Sequence, residues 1–89
     1  MIPLKNEYKR DGLVRRVVSR HGDFAIAAVY SPEGMRVRYD VIGIASEPET
    51  GNRCLCRVHG EYETHDAAVV KVHELLVAQQ RAKGKELTP

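Results

Sequence analysis

The stretch that decides the fold covers residues 24–44, FAIAAVYSPEGMRVRYDVIGI. It reads as two strands joined by a tight turn. Residues 24–30 form a short apolar run rich in strand formers. In SPEG, Pro32 presets φ at the second turn position and Gly34 closes the turn. Residues 35–44 then alternate Met35, Val37, Tyr39 and Val41 against Arg36, Arg38, Asp40 and Ile42, the period of two expected of a half-buried strand. A two-residue loop at Pro32-Glu33 pairs Tyr30 with Met35, Ala28 with Val37, Ile26 with Tyr39 and Phe24 with Val41. In that register both strands put their larger apolar residues on one face, and a one-residue slip would undo the agreement.

Working outward, LVRRVVSR (residues 13–20) has a period that permits a helix, but its Val pairs and flanking glycines favour a strand. Gly22 supplies the positive φ of a hairpin leading into Phe24. ASEPETGN (45–52) is a polar loop, and residues 53–62 resume as a fourth strand. Thr64 caps a helix over 65–83, with Asp66 in its first turn and Gly84 as its stop. At 100° per residue, Ala68, Val72, Leu75 and Gln79 share one face, flanked by Val69 and Leu76. Residues 1–10 and 85–89 read as flexible ends. The expected fold is α+β, a single domain over 1–89: an antiparallel β-meander of three to four strands with one C-terminal helix packed on one face (β-β-β-β-α). The other sheet face is expected to be open to water.

Eighty-nine residues bury a thin core, which favours work at the surface over a deep substrate pocket. The net charge of +2 is mild, and the pI near 8.7 falls below that of a dedicated nucleic-acid binder. Cys54 and Cys56 lie one residue apart, so a disulfide between them would close almost no loop, and both read as free thiols of a reducing compartment. The opening MIPLKNEYKR lacks the apolar core of a signal peptide, and no run approaches 18 apolar residues. The expectation is a soluble protein of the cytoplasm with no membrane partner.

CLCRVHGEYETHD (54–66) gathers most of the reactive side chains. On a regular strand Cys54, Cys56 and Val58 share one face, and Arg53, Leu55, Arg57 and His59 share the other. Core thiols packed against the helix are the simplest reading. A zinc site from Cys54, Cys56, His59 and His65 would need a bend at Gly60 to bring the histidines round. A Cys–His nucleophilic pair would need an activated thiolate in an electropositive cleft. No phosphate-binding glycine loop, zinc-protease motif or nucleophile elbow occurs. No catalytic residue, resident metal or cofactor is assigned, and the chain reads as a non-enzyme.

The face away from the helix is expected to carry Arg36 and Arg38 beside Arg53 and Arg57, extended by His59. Such a patch suits carboxylates or phosphates. With the tyrosines turned inward it lacks the stacking aromatics of a single-strand nucleic-acid reader. A second surface is a seam of Val70, His73 and Val77, opposite the helix's core stripe, suited to a homodimer or another partner.

The residues Asp11-Gly12, Gly22-Asp23-Phe24-Ala25-Ile26, Tyr39-Asp40-Val41-Ile42 and Thr64 through Leu75 resemble the plan of small orphan proteins of phages, prophages and other mobile elements. Some similar small α/β phage proteins are anti-CRISPR inhibitors, which occupy protein or nucleic-acid surfaces of the host machinery without doing chemistry. The resemblance implies a non-enzymatic protein of a bacterial host cytoplasm, monomer or homodimer, that binds and blocks or modulates a host protein or ribonucleoprotein. Two alternatives stand beside it. One is a nucleic-acid-binding accessory protein using the basic sheet face; the other is a small zinc or thiol protein.

Overall fold

The computed structural model describes residues 2–3 and 6–87, with side chains described over 6–82. The elements run β1 (Ile2–Pro3), β2 (Glu7–Arg10), β3 (Leu13–His21), β4 (Phe24–Tyr30), β5 (Arg36–Ser46), β6 (Arg53–Tyr62) and α1 (His65–Leu87). Every strand pairing is antiparallel. The order across the sheet is β1-β6-β5-β4-β3-β2. The α+β meander with a C-terminal helix is therefore the architecture.

β1 and β2 are neighbours in sequence yet lie at opposite edges of the sheet. Five strand spacings in a flat sheet amount to about 24 Å. The chain from Pro3 to Glu7 spans at most about 14 Å. A flat sheet is thus excluded, and the sheet curls until one N-terminal segment serves both edges. Tyr8 on β2 accordingly packs onto the cluster that holds Ile42 and Leu55. Residues from both ends of the strand order, among them Tyr8, Arg10, Leu55 and Val58, line one cavity of about 290 Å³.

Curling produces two apolar layers. On the convex side Phe24, Ile26 and Val41 pack against Ala68 and Val72 of α1, with Tyr39, Tyr62, Val69, Leu75 and Leu76 around them. This is the helix face read from the sequence. On the concave side Ala25, Ala27, Ile42, Ile44 and Leu55 form a second cluster, covered by Tyr8 and Val17. Small side chains at Ala25 and Ala27 suit the inner surface of a tight roll, where volume runs out. The face expected to be open to water is therefore an apolar interior. The residues expected to form a loose N-terminal end supply its cover. Asp11 (φ 55°) and Gly12 (φ 77°) make the two-residue turn between β2 and β3, the backbone that an Asp-Gly hairpin favours.

The β4–β5 register differs from the expected one by two residues: Ile26 faces Val41, and Phe24 faces Gly43. A two-residue shift preserves the faces, which is why the core assignment survives it. The shift is absorbed at the turn, where Gly34 N–H donates to the Ser31 carbonyl at 2.9 Å. It is also absorbed at a bulge between the Val29↔Arg38 and Tyr30↔Arg36 pairs, which leaves Val37 as the extra residue. β3 has a bulge at Val18. β6 has two, one at His59 and one within Cys56-Arg57. Bulges bend and over-twist the strand that carries them, so these four increase the curl.

Two ends also differ. α1 continues through Gly84 to Leu87, because a single interior glycine costs a helix only about 1 kcal/mol. Residues 88–89 of the expected tail lie outside the described residues. At the other end Thr64 caps the helix as expected, its Oγ1 accepting from Ala67 N–H at 3.1 Å.

Candidate functional site

The bulges decide where the reactive side chains go. Four arginines in one row require regular alternation along β5 and β6, and neither strand keeps it. Arg36 lies over the Tyr39 ring at 5.3 Å and donates to the Tyr39 hydroxyl at 3.0 Å. Tyr39 belongs to the helix-side core, so Arg36 is on that side. Arg53 reaches the β3–β4 turn on the same side: Nη2 donates to the Gly22 carbonyl at 3.4 Å and lies 4.0 Å from Asp23. Asp23 in turn accepts from Gln79 of α1 at 2.8 Å. Arg38 turns to the concave side. The arginines therefore divide between the two faces.

Arg38 joins a buried ionic network there. Asp40 is fully buried. It accepts from Arg15 Nε at 3.1 Å and from Arg38 Nε at 2.8 Å, one guanidinium on each carboxylate oxygen. Arg15 also donates to the Arg10 carbonyl at 3.1 Å, and Arg38 reaches Glu61 at 3.5 Å. The hydrogen bond to Asp40 raises the Arg38 pKa further. Burial raises that of the neighbouring Tyr8 phenol, so it stays protonated at neutral pH. The charged groups satisfy one another, as buried charges must, and the network links β2, β3, β5 and β6.

His59 sits on the helix side. Its ring meets Phe24 edge-on with centroids 5.3 Å apart. Gly43 makes room for it: a Cβ there would lie 3.0 Å from His59 Nε2 and 3.5 Å from Cys56 Sγ. Cys56 is exposed, and its thiol points at the Gly43 carbonyl at 3.3 Å. Cys54 is buried, its thiol 3.8 Å from the Asn52 carbonyl. One of the two thiols is thus a core group and the other is not. Burial lowers the His59 pKa first, and the positive charges of Arg57 and Lys71 lower it further. His59 therefore favours the neutral imidazole, with Arg57 and Lys71 near enough to act on it. Lys71 was invisible as part of this cluster from sequence, because only the helix's placement on β6 brings it there.

The four residues of the zinc reading do not assemble. His65 lies on the far side of the helix start, edge-on to Tyr39 at 5.7 Å and 3.4 Å from the Ser19 hydroxyl. Among the described residues no three His, Cys, Asp or Glu side chains converge to hold a metal ion. The Ser19 hydroxyl also contacts His21 Nε2 at 3.0 Å. It thus lies between two imidazoles and ties the start of α1 to β3. This cluster has no sequence signal, since the bulge at Val18 sets its orientation.

Arg15 and Arg38 are paired with Asp40, Arg16 with Glu7, Arg10 with Asp11 and Arg53 with Asp23. Arg20 donates to Asn6. Among the described residues Lys9, Arg20, Arg36, Arg57, Lys71 and Arg81 have no carboxylate within 4.0 Å, and of these Arg57 and Lys71 act together on His59. The cluster Arg57–His59–Lys71 is the candidate site, since two cations without carboxylate partners can together hold an anion. No described helix is long and apolar enough to cross a membrane. No protein-family model matches this chain, and no significant match was found among curated proteins or solved structures.

Proposed function

We propose that this chain is a non-catalytic binding protein. It docks through Arg57, His59 and Lys71 onto an acidic surface of a protein or of a ribonucleoprotein's protein component. The observation that carries the reading is a pair of cations without carboxylate partners gathered about one imidazole. Among the described residues the fold matches five arginines to carboxylates; of the cations it leaves without one, Arg57 and Lys71 both act on the same imidazole, His59. Fixed like charges kept close together are tolerated where an opposite charge meets them. Blocking a host protein or ribonucleoprotein, as an anti-CRISPR inhibitor does, is the most specific form of this proposal. It draws its support from the resemblance described above. Nucleic acid is the less favoured partner, because Tyr39 and Tyr62 pack on the helix-side core and Tyr30 lies under Arg16. No base-stacking platform lies beside the cations among the described residues.

The test is a pull-down from bacterial lysate with and without nuclease, run beside the R57E/K71E double variant. A discrete protein retained after nuclease treatment and lost with the variant is the expected result, at an unchanged melting temperature. Recovery of nucleic acid alone, abolished by nuclease, would replace this reading with the phosphate-binding one.

A further inference from the structure

α1 has a face that the sheet never touches. At 100° per residue Val70, Glu74, Val77 and Arg81 fall within about 60° of one another. They point away from Ala68, Val72 and Gln79, which face the sheet. Val70 is 58% exposed, and Glu74, Ala78, Arg81 and Ala82 are exposed. An open, mostly apolar groove runs along this side, lined by His73, Glu74, Val77, Ala78, Arg81 and Ala82. Beyond the Gln79–Asp23 hydrogen bond the helix still runs on to Leu87. A solitary helical end gains little from propensity alone and is normally held by packing of a face.

The lining has an internal symmetry. Its six residues form three pairs about the point between Val77 and Ala78: Val77 with Ala78, Glu74 with Arg81, and His73 with Ala82. We infer that this face binds a second copy of the chain, helix against helix and antiparallel, about a two-fold axis through that point. Such an axis brings Glu74 of each copy opposite Arg81 of the other, giving two equivalent ion pairs from one surface, as an isologous interface requires. Val77 and Ala78 meet at the axis, and Ala78 and Ala82 leave room for close approach of the two backbones. A parallel pairing would put Glu74 against Glu74 and Arg81 against Arg81. The charge pattern thus selects the antiparallel arrangement. Arg57, His59 and Lys71 lie outside the six lining residues, so a dimer presents the anion-binding cluster twice.

Sedimentation of the full chain from about 1 µM to 1 mM brackets the affinities a helix pair of this size reaches. The wild-type mass should rise toward twice that of the monomer, less so at high salt. E74R and R81E should each weaken association by roughly tenfold or more, since each turns two attractive pairs into repulsive ones. Their equimolar mixture should recover a dimer, because the E74R copy then presents two cations at these positions and the R81E copy two carboxylates, and both cross-pairs become attractive. Circular dichroism should show equal helix content in all samples. A wild-type chain that stays monomeric throughout, or single variants that associate as well as wild type, would overturn the inference. So would a mixture that fails to associate.

Discussion

At the scale of single residues, His59 shows how a bulge creates chemistry. It is the extra residue at one of its strand's two bulges, so its ring turns onto Phe24 and comes under the influence of Arg57 and Lys71. Burial and these charges depress its folded pKa below the value near 6.5 expected in the unfolded chain. The sign follows from linkage. As pH falls through about 6.5 the unfolded state takes up a proton before the folded state does, so stability is full above that value and declines below it. H59Q should flatten that decline, and thermal melts of both proteins at about pH 7.5 and pH 5 measure it. Identical slopes in the two would remove His59 as the source. The exposed Val18 and Val37 have the same origin: both are extra residues at bulges. Regular alternation assigns every residue to a face, and a bulge residue escapes that rule. The expected Arg36–Arg38–Arg53–Arg57 row dissolves for this reason.

At the scale of elements, most strands and the helix were legible because their signals are local. Gly22 marks a turn, SPEG marks another, Thr64 caps α1, and the spacing of Ala68, Val72 and Leu75 gives the buried face of the helix. β2 had a local signal as well, the Asp11-Gly12 pair that closes its hairpin. β1 had none, since two residues carry no period and their pairing is set by the far end of the chain. The linkage between elements was equally hidden. Arg15 on β3 reaches Asp40 on β5 across β4, where the small side chain of Ala27 lies opposite Asp40. D40A would leave Arg15 buried with its counter-ion gone, at a cost of about 3 kcal/mol or more. Exchanging both partners for apolar residues of similar volume (R15M/D40L) should cost markedly less. Urea denaturation of the three proteins checks the order, and equal losses in the two variants would show that the ion pair is not the origin of the cost.

At the scale of the whole molecule, the sheet is rolled and its two edges share one short segment. Tyr8 closes the roll by covering Ile42 and Leu55. Y8A should lower stability by roughly 2 kcal/mol, less than a fully buried aromatic would, because Tyr8 is only half-buried. Amide exchange should then quicken most at the β3 amides that donate to β2, such as Arg15 and Val17, and least under the helix at Ile26 and Val41. Uniform acceleration across the chain would instead mean that the roll opens only with the entire molecule. The position of the shared segment also imposes an order in time. Ile2 pairs with Leu55, so β1 waits during synthesis for β6, the last of the described strands, to appear. Until then the hairpins and the nascent helix side can assemble, but the roll stays unzipped with the backbone of β6 unclaimed along its outer edge. The slow step of folding is therefore the homecoming of β1 to β6, and during that interval the β1 segment of a neighbouring molecule competes for the same edge.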